Sequence, residues 1–198
     1  MNKIIVYGSC YGATRRYAEA LSEKTGIPAV SYENVEDINS YKTIIYMGGL
    51  YAGGVQGMKQ TLKHLSDLPH KNVMIVTVGL ADPTDPENIE TIRSKMKSQL
   101  SKELFEQAQI FHLRGGIDYA QLSFLHKTMM SMVYRKAVNL PEEQKNAEVQ
   151  AMIETYNKQV DFTNFNSLEP ILQALSQTDT SACDPIRNHS KEEDNGVL

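Results

Sequence analysis

Short apolar runs alternate with segments of helical periodicity, and this alternation constrains the fold more than any other feature of the chain. Three runs, residues 4–7, 44–47 and 73–78, are apolar almost throughout. Strands of this kind are buried on both faces, which is typical of a parallel sheet covered by helices. Two more polar runs, residues 29–32 and 110–113, are therefore predicted to be edge strands.

Helical patterns fill the intervals between these strands. Residues 14–21 place their apolar side chains on one face, and Gly26 follows as a stop signal. Residues 58–65 repeat with the same period, and Asp85 and Pro86 predict the N-cap and first turn of a third helix. With the polar strands at the edges, the pattern predicts an α/β fold, a doubly wound five-stranded parallel sheet of order 2-1-3-4-5. Ligands of such sheets bind at the carboxyl ends of the strands.

The pattern changes after the fifth predicted strand. Two helical runs split by Pro141 form a predicted helical insertion at about residues 119–157, and a short helix at about residues 168–175 follows. We expect one domain over residues 1–176 that includes this insertion. Residues 177–198 are polar and aperiodic, which predicts a flexible tail.

The loop after the first strand carries the strongest functional signal. It is rich in small and hydroxyl-bearing residues and leads directly into a helix: Ser9, Cys10, Tyr11, Gly12, Ala13 and Thr14. The start of a helix has unpaired N–H groups and roughly half a unit of positive charge, so this loop predicts a phosphate site. The alternative is an ordinary strand–helix turn that is capped by Thr14 and needs Gly12 for its geometry. Cys10 is either a small side chain in this turn or a thiol activated by the helix.

Two further loops are expected at the same edge of the sheet. The second apolar strand is followed by glycines and a tyrosine that could stack on a flat ring, and the candidate residues are Leu50, Tyr51, Ala52 and Gly53. The third is followed by Gly79, Leu80, Ala81 and Asp82. Convergence of the three loops is what one bound ligand would require.

The first loop matches a known motif. Ser9, Tyr11, Gly12 and Thr14 form a Ser-x-Tyr-Gly-x-Thr pattern that resembles the FMN-phosphate loop of flavodoxins. This resemblance implies a flavodoxin-like fold and FMN as the cofactor, bound by all three loops. Leu50 stands where proline is common in that family, and the third loop lacks the aromatic residue that often covers the flavin.

A second resemblance lies after the fifth strand. Gly115 or Gly116, with Asp118, Tyr119 and Lys127, is similar to the branch of the family that includes flavodoxin-type, menaquinone-dependent protoporphyrinogen oxidase. It implies a flavin-dependent oxidoreductase whose partner is a quinone or another small-molecule substrate. The alternative is a flavodoxin-type one-electron carrier, whose partner is a redox protein.

The predicted insertion has an unusual composition. Its apolar stripe is accompanied by basic residues, and the set comprises Leu122, Leu125, Met129, Met132, Val133, Lys127, Arg135 and Lys136. An apolar face with basic flanks can contact a membrane surface, a quinone or a flat tetrapyrrole, so residues 121–137 are a candidate for peripheral membrane contact. Packing against the sheet, or against a second subunit in a homodimer, is the competing interpretation.

Charge and cysteine content limit which other partners and which cell compartment can be expected. The formal net charge of -4 gives no reason to expect nucleic acid. Two widely separated cysteines, Cys10 and Cys183, make no disulfide framework and suit the reducing cytoplasm. We therefore expect a cytoplasmic protein. If the insertion docks on the membrane, the protein would lie at the inner face of the membrane. No histidine has a partner at metal-ligand spacing, so no metal is expected.

Overall fold

A five-stranded parallel sheet forms the centre of the molecule in the computed structural model, which describes residues 2–51 and 54–181. Its five strands are β1 (Lys3–Gly8), β2 (Ala29–Ser31), β3 (Thr43–Tyr51), β5 (Asn72–Gly79) and β6 (Gln109–Arg114), and a short additional strand, β4 (Gly54–Val55), follows β3 in the chain. The sheet order is β2-β1-β3-β5-β6, and the short β4 pairs antiparallel with the end of β3. Without β4 this order is the predicted 2-1-3-4-5, so the doubly wound fold is confirmed, with the polar strands at its edges.

Helices cover both faces of this sheet. They are α1 (Ala13–Thr25), α2 (Met58–Leu62), α3 (Pro86–Lys97), α4 (Lys102–Gln107), α5 (Phe124–Val138), α6 (Ala147–Thr155) and α7 (Glu169–Ser181). In the part of the chain that the structure describes, no helix is both long and apolar enough to cross a bilayer.

The two faces of the sheet form two separate cores. On one face, Ile5, Ile45 and Met74 pack against Tyr17 of α1 and Ile171 of α7. On the other face, α2, α3 and α4 contribute Met58, Leu62, Ile92, Met96 and Leu104. Burial on both sides explains why β1, β3 and β5 are apolar almost throughout.

Two helices end earlier than their periodicity predicts. The third predicted helix included Leu100, but α3 stops at Lys97, because Ser101 caps a separate α4 by accepting a hydrogen bond from Leu104 N–H at 3.2 Å. Likewise α2 ends at Leu62, and Leu65 packs against the core from outside the helix.

The insertion also starts later than predicted. Residues 119–123 are a turn rather than the first part of a helix, because Asp118 Oδ1 accepts a hydrogen bond from Ala120 N–H at 2.9 Å. Ser123 then caps α5, and Asn146 caps α6 by accepting from Val149 N–H at 3.0 Å. The apolar residues Tyr119 and Leu122 belong to a third core cluster instead of a helical stripe.

A second, two-stranded antiparallel sheet was not predicted. It pairs β7 (Gly116–Asp118) with β8 (Gln159–Asp161), so it joins the two ends of the insertion. Arg16 of α1 holds it through a two-pronged ion pair with Asp161, at 2.8 Å for the nearest atoms. The Arg16 guanidinium holds the pKa of that carboxyl well below its usual range.

The last helix extends into the segment that was predicted to be a flexible tail. Helix α7 continues to Ser181, whereas the sequence predicted its end near residue 175. Its packed stripe, which includes Ile171 and Leu175, anchors the helix, and Thr178 Oγ1 donates a hydrogen bond back to the carbonyl of Leu175. The remainder of the predicted tail, with Cys183, lies outside the described residues.

Acidification is expected to destabilise the sheet through His112 of β6. Burial, with a smaller contribution from Arg93, lowers the pKa of His112 to about 4, and its Nε2 atom is buried without a hydrogen-bond partner among the described residues. The unfolded chain takes up this proton near pH 6.5 and the folded protein does not, so stability falls between those two pKa values. Because the ring is only partly buried, we expect this histidine to contribute a loss of about 1 kcal/mol between about pH 7 and pH 5, measured by urea unfolding.

The His112→Gln variant isolates this effect. Glutamine can still pair with Thr77 Oγ1, which lies 2.7 Å from Nδ1 of His112, but it cannot take up a proton. Its stability should change less between the two pH values, whereas the exposed His64→Gln control should keep the wild-type slope. Equal slopes for all three proteins would contradict the assignment.

Candidate functional site

The loop between β1 and α1 presents unpaired backbone N–H groups at the edge of the sheet. Gly12 is the N-cap residue of α1 with φ 89°, in the left-handed region that favours glycine, and no side chain caps the helix. Ser9 Oγ accepts a hydrogen bond from Gly12 N–H at 3.2 Å and closes the loop. Thr14 is buried in the first turn and does not cap it, contrary to the alternative that the sequence left open. The uncapped N–H groups suit an anion.

Glycines allow the neighbouring strands to approach this loop. A Cβ atom on Gly49 would lie 3.2 Å from Thr14 Oγ1, and one on Gly115 would lie 2.7 Å from a methyl group of Val78 and 3.2 Å from Cβ of Ala13. A side chain at Gly115 would therefore force Val78 to shift, and one at Gly49 would require Thr14 to give way by a few tenths of an ångström, at the point where three loops converge.

Nine of the predicted site residues line one small pocket of about 60 Å³. They come from all three loops and comprise Ser9, Cys10, Tyr11, Ala13, Thr14, Leu50, Tyr51, Gly79 and Leu80. Gly12 shapes the loop without lining the pocket, and Ala52 and Gly53 lie outside the described residues. The convergence expected from the sheet topology is therefore present in the structure.

The last two predicted residues of the third loop face elsewhere. Ala81 is buried and Asp82 is exposed, and neither lines this pocket. Asp82 Oδ1 accepts hydrogen bonds from the N–H and hydroxyl of Thr84, which lower the pKa of the carboxyl. Asp82 thus shapes the turn that leads into α3, and its role in ligand binding stays a prediction.

Gln56 is a pocket residue that sequence reasoning missed. Its carbonyl accepts a hydrogen bond from the Tyr46 hydroxyl at 2.5 Å, which fixes the backbone beside the loop. Its side-chain Oε1 is buried and has no hydrogen-bond partner of good geometry among the described residues. A buried acceptor left unpaired costs about 1–3 kcal/mol, so this atom is suited to accept a hydrogen bond from a ligand.

Cys10 does not have the environment of an activated thiol. Burial raises the pKa of Cys10, and a smaller opposing effect of Gln56 does not reverse this. The thiol is therefore protonated at neutral pH, which favours the interpretation of Cys10 as a small side chain in the turn.

The two arginines after the loop point away from it. Arg15 Nε pairs with Glu19 at 2.7 Å on the exposed side of α1, and Arg16 pairs with Asp161. The positive potential at the loop therefore comes from the start of the helix and its N–H groups rather than from these side chains.

Helix α5 covers the loops through an aromatic and methionine cluster. The rings of Tyr11, Tyr51 and His126 have centroids 6.2–6.4 Å apart. The Tyr11 hydroxyl donates to Met130 Sδ at 3.5 Å, and the Tyr51 hydroxyl donates to Met129 Sδ at 2.9 Å. Thioether sulfur is a weak acceptor, so both hydroxyls can exchange it for a better one. Burial raises the pKa of both tyrosines, which keeps them protonated as donors.

A larger cavity of about 400 Å³ separates the loops from the insertion. Its walls are mainly apolar and include Ile117, Met129, Met130, Val133, Ala137, Leu140, Val149 and Met152. It shares Tyr11, Leu50, Tyr51 and Leu80 with the smaller pocket. The two spaces therefore adjoin along the loops, one suited to a small polar group and the other to an apolar one.

One partly buried ion pair connects the insertion to the domain across this cavity. Lys95 Nζ of α3 lies 2.5 Å from Glu148 Oε2 of α6, and both side chains line the cavity. We expect Glu148→Gln to cost about 1–2 kcal/mol, because Lys95 loses the charged partner that offsets its desolvation. Thermal unfolding and hydrogen exchange of the α6 amides measure the effect.

The matched control is Glu19→Gln. Glu19 pairs with Arg15 at 2.7 Å, but both side chains are more than half exposed, so the change should cost less than about 0.5 kcal/mol. Similar destabilisation by both variants would show that the Lys95 pair does not hold α6.

The residues that resemble the protoporphyrinogen oxidase branch make contacts that stabilise the insertion. Asp118 forms the turn before α5, and Tyr119 is buried with its ring centroid 5.3 Å from that of Tyr156. Lys127 Nζ donates to the carbonyl of Ala120 at 3.1 Å. These positions build the insertion and by themselves assign no reaction.

The strand order and the position of the candidate site define the class of the protein. It is a doubly wound α/β domain with its pocket at the carboxyl ends of the strands, where the strand order reverses. The family model described as Flavodoxin domain matches residues 4–144, and the chain belongs to this family.

Solved structures with low identity align with the chain. A flavoprotein in complex with FMN from Lactobacillus acidophilus NCFM is 11% identical, with 57% of this chain and 91% of that chain covered and a TM-score of 0.40. A flavodoxin from the domain Archaea is 17% identical, with coverages of 57% and 85% and a TM-score of 0.35. A flavone reductase is 8% identical, with coverages of 92% and 90% and a TM-score of 0.35. Comparison with curated proteins gives no match.

Proposed function

We propose that this protein binds FMN and is a flavin-dependent oxidoreductase. The observation that carries the proposal is the junction of the two spaces, since the small pocket beside the start of α1 and the apolar cavity share Tyr11, Leu50, Tyr51 and Leu80. A ligand with a phosphate at one end and a flat apolar ring at the other matches this arrangement.

The residues present fit each part of FMN. The uncapped first turn of α1 offers N–H donors to a phosphate, and the buried Oε1 of Gln56 offers an acceptor to a sugar-like hydroxyl. Leu50 and Leu80 offer apolar surface to the ring. When bound, FMN supplies the redox chemistry, and the protein orients it and excludes water.

The cavity supports an enzyme acting on a small apolar molecule. An apolar space of about 400 Å³ lies within the range of ligand pockets and extends beyond the loops to α6. The hydroxyls of Tyr11 and Tyr51 are available donors for a carbonyl oxygen of the substrate, because their present acceptors are thioethers. We therefore propose that the electron acceptor is quinone-like. Among flavin-dependent oxidoreductases, we propose that the enzyme oxidises protoporphyrinogen.

The absorption spectrum of the purified full chain tests cofactor binding. We expect yellow protein that releases FMN on denaturation, or that regains it when FMN is added. Colourless protein that cannot be reconstituted would overturn the proposal.

Turnover distinguishes an enzyme from an electron carrier. The reduced flavoprotein is mixed with menadione, and we expect one menadione to be reduced by two electrons to the hydroquinone for each flavin that is reoxidised. With protoporphyrinogen IX as the electron donor that reduces the flavin again, we expect multiple turnovers. An FMN-loaded protein that turns over no quinone or porphyrinogen, and titrates in two separate one-electron steps, would instead support the carrier.

A further inference from the structure

Exposed apolar side chains are concentrated on helix α5. Five of the seven large apolar side chains exposed in the described part of the chain belong to this helix. Phe124 is 86% exposed, Leu125 75% and Met132 62%, whereas Met130 and Ala137 on the opposite side are buried. The outer face of α5 is therefore an apolar surface without a partner in the structure.

The same helix is cationic. Lys127, Arg135 and Lys136 are exposed, and α5 contains no acidic residue, although the whole chain has a net charge of -4. Arg135 and Lys136 form no ion pair with any residue in the ranges 2–51 and 54–181. Apolar and basic side chains on one exposed helix face are typical of helices that lie in a membrane interface.

This face reaches the edge of the apolar cavity. Val133 is 43% exposed and lines the cavity, and the exposed Lys136 lines it as well. A surface that rests on the outer face of α5 would therefore adjoin the entrance to the cavity.

We propose that the outer face of α5 docks on an anionic membrane surface and that the cavity takes its apolar substrate from the lipid. The docking stands on exposure and charge alone, and the origin of the substrate rests on the proposed function. Phe124, Leu125 and Met132 enter the interface, while Arg135 and Lys136 contact lipid phosphates. A second copy of the chain fits less well, because two cationic helices without acidic residues would face each other.

Sedimentation with vesicles tests the docking. We expect the full chain to bind phosphatidylcholine vesicles that contain phosphatidylglycerol, to bind phosphatidylcholine alone much more weakly, and to dissociate as salt rises. Neutralising two cations in Arg135→Gln/Lys136→Gln should weaken binding about 25-fold, at about 5-fold for each charge. Phe124→Gln/Leu125→Gln should abolish it.

Lys59→Gln/Lys63→Gln is the matched control. These exposed lysines lie on or next to α2, and the variant loses the same two charges as the α5 variant. It should bind vesicles like the wild type. An equal loss in this control, or no binding to any vesicle, would overturn the proposal. So would a dimer seen by light scattering that Phe124→Gln/Leu125→Gln dissociates.

The FMN content of each variant separates this inference from the proposed function. Phe124 and Leu125 line neither the loop pocket nor the larger cavity, so Phe124→Gln/Leu125→Gln should hold as much FMN as the wild type. A protein that docks but binds no FMN would leave the docking standing and refute the proposed function. A protein that binds FMN and reduces menadione without docking would support the proposed function and refute the docking.

Discussion

Ser9→Asp is expected to weaken FMN binding about 1000-fold without unfolding the protein. The carboxylate would lie in the loop where we place the phosphate, and two like charges about 4 Å apart repel by about 4 kcal/mol at an effective dielectric constant of about 20. The fold should tolerate the change, because an aspartate can still accept the hydrogen bond that Ser9 Oγ receives from Gly12 N–H.

Ser9→Asn and riboflavin provide the controls. Asparagine has nearly the same shape as aspartate and keeps an acceptor, so FMN should bind within about 10-fold of wild type. Riboflavin lacks the phosphate and should bind the Asp and Asn variants equally. Titrations followed by flavin fluorescence give the dissociation constants. If Ser9→Asp binds FMN as tightly as Ser9→Asn, the phosphate does not lie at this loop.

Sequence predicted the central sheet because burial on two faces leaves a simple signature. The apolar strands β1, β3 and β5 have neighbours on both sides, and the edge strands β2 and β6 are more polar. Helix capping could also be predicted from the sequence. Asp85 Oδ1 accepts a hydrogen bond from Glu87 N–H at 3.0 Å at the predicted start of α3.

Most of the candidate site followed from this topology. The loops after β1, β3 and β5 had to meet at one edge, so Ser9, Tyr51 and Leu80 could be assigned before any contact was known. Gln56 could not, because its position depends on a hydrogen bond from Tyr46, ten residues away in β3. Its only sequence signal was its place just after the glycines of the second loop.

The insertion was least predictable because its contacts are long-range. Strands β7 and β8 have three residues each, too short for a visible period, and they pair across more than forty residues. Tyr119 and Leu122 have helical spacing but pack as turn residues. The reason is that Asp118 Oδ1 accepts a hydrogen bond from Ala120 N–H, which favours a turn over a helix. The cavity exists only where this insertion meets the loops.

Val149→Trp is expected to separate cofactor binding from turnover. Val149 lies on α6 and lines the larger cavity but not the loop pocket. An indole at this position fills part of a space of about 400 Å³ on the side away from the loops. FMN affinity should stay within about 10-fold of wild type, whereas kcat/KM for menadione should fall about 100-fold, because even small displacements from a productive geometry cost that much.

Val149→Ala tests the same wall in the opposite direction. It enlarges the cavity, so menadione turnover should persist. The kcat/KM for a bulkier quinone should rise relative to the kcat/KM for menadione. The comparison matters because loss of turnover in Val149→Trp alone could come from a distorted α6. If neither variant changes the relative kcat/KM of the two quinones, while FMN remains bound, the apolar cavity is not the substrate site. The flavin would then exchange electrons elsewhere on its surface, as a carrier does.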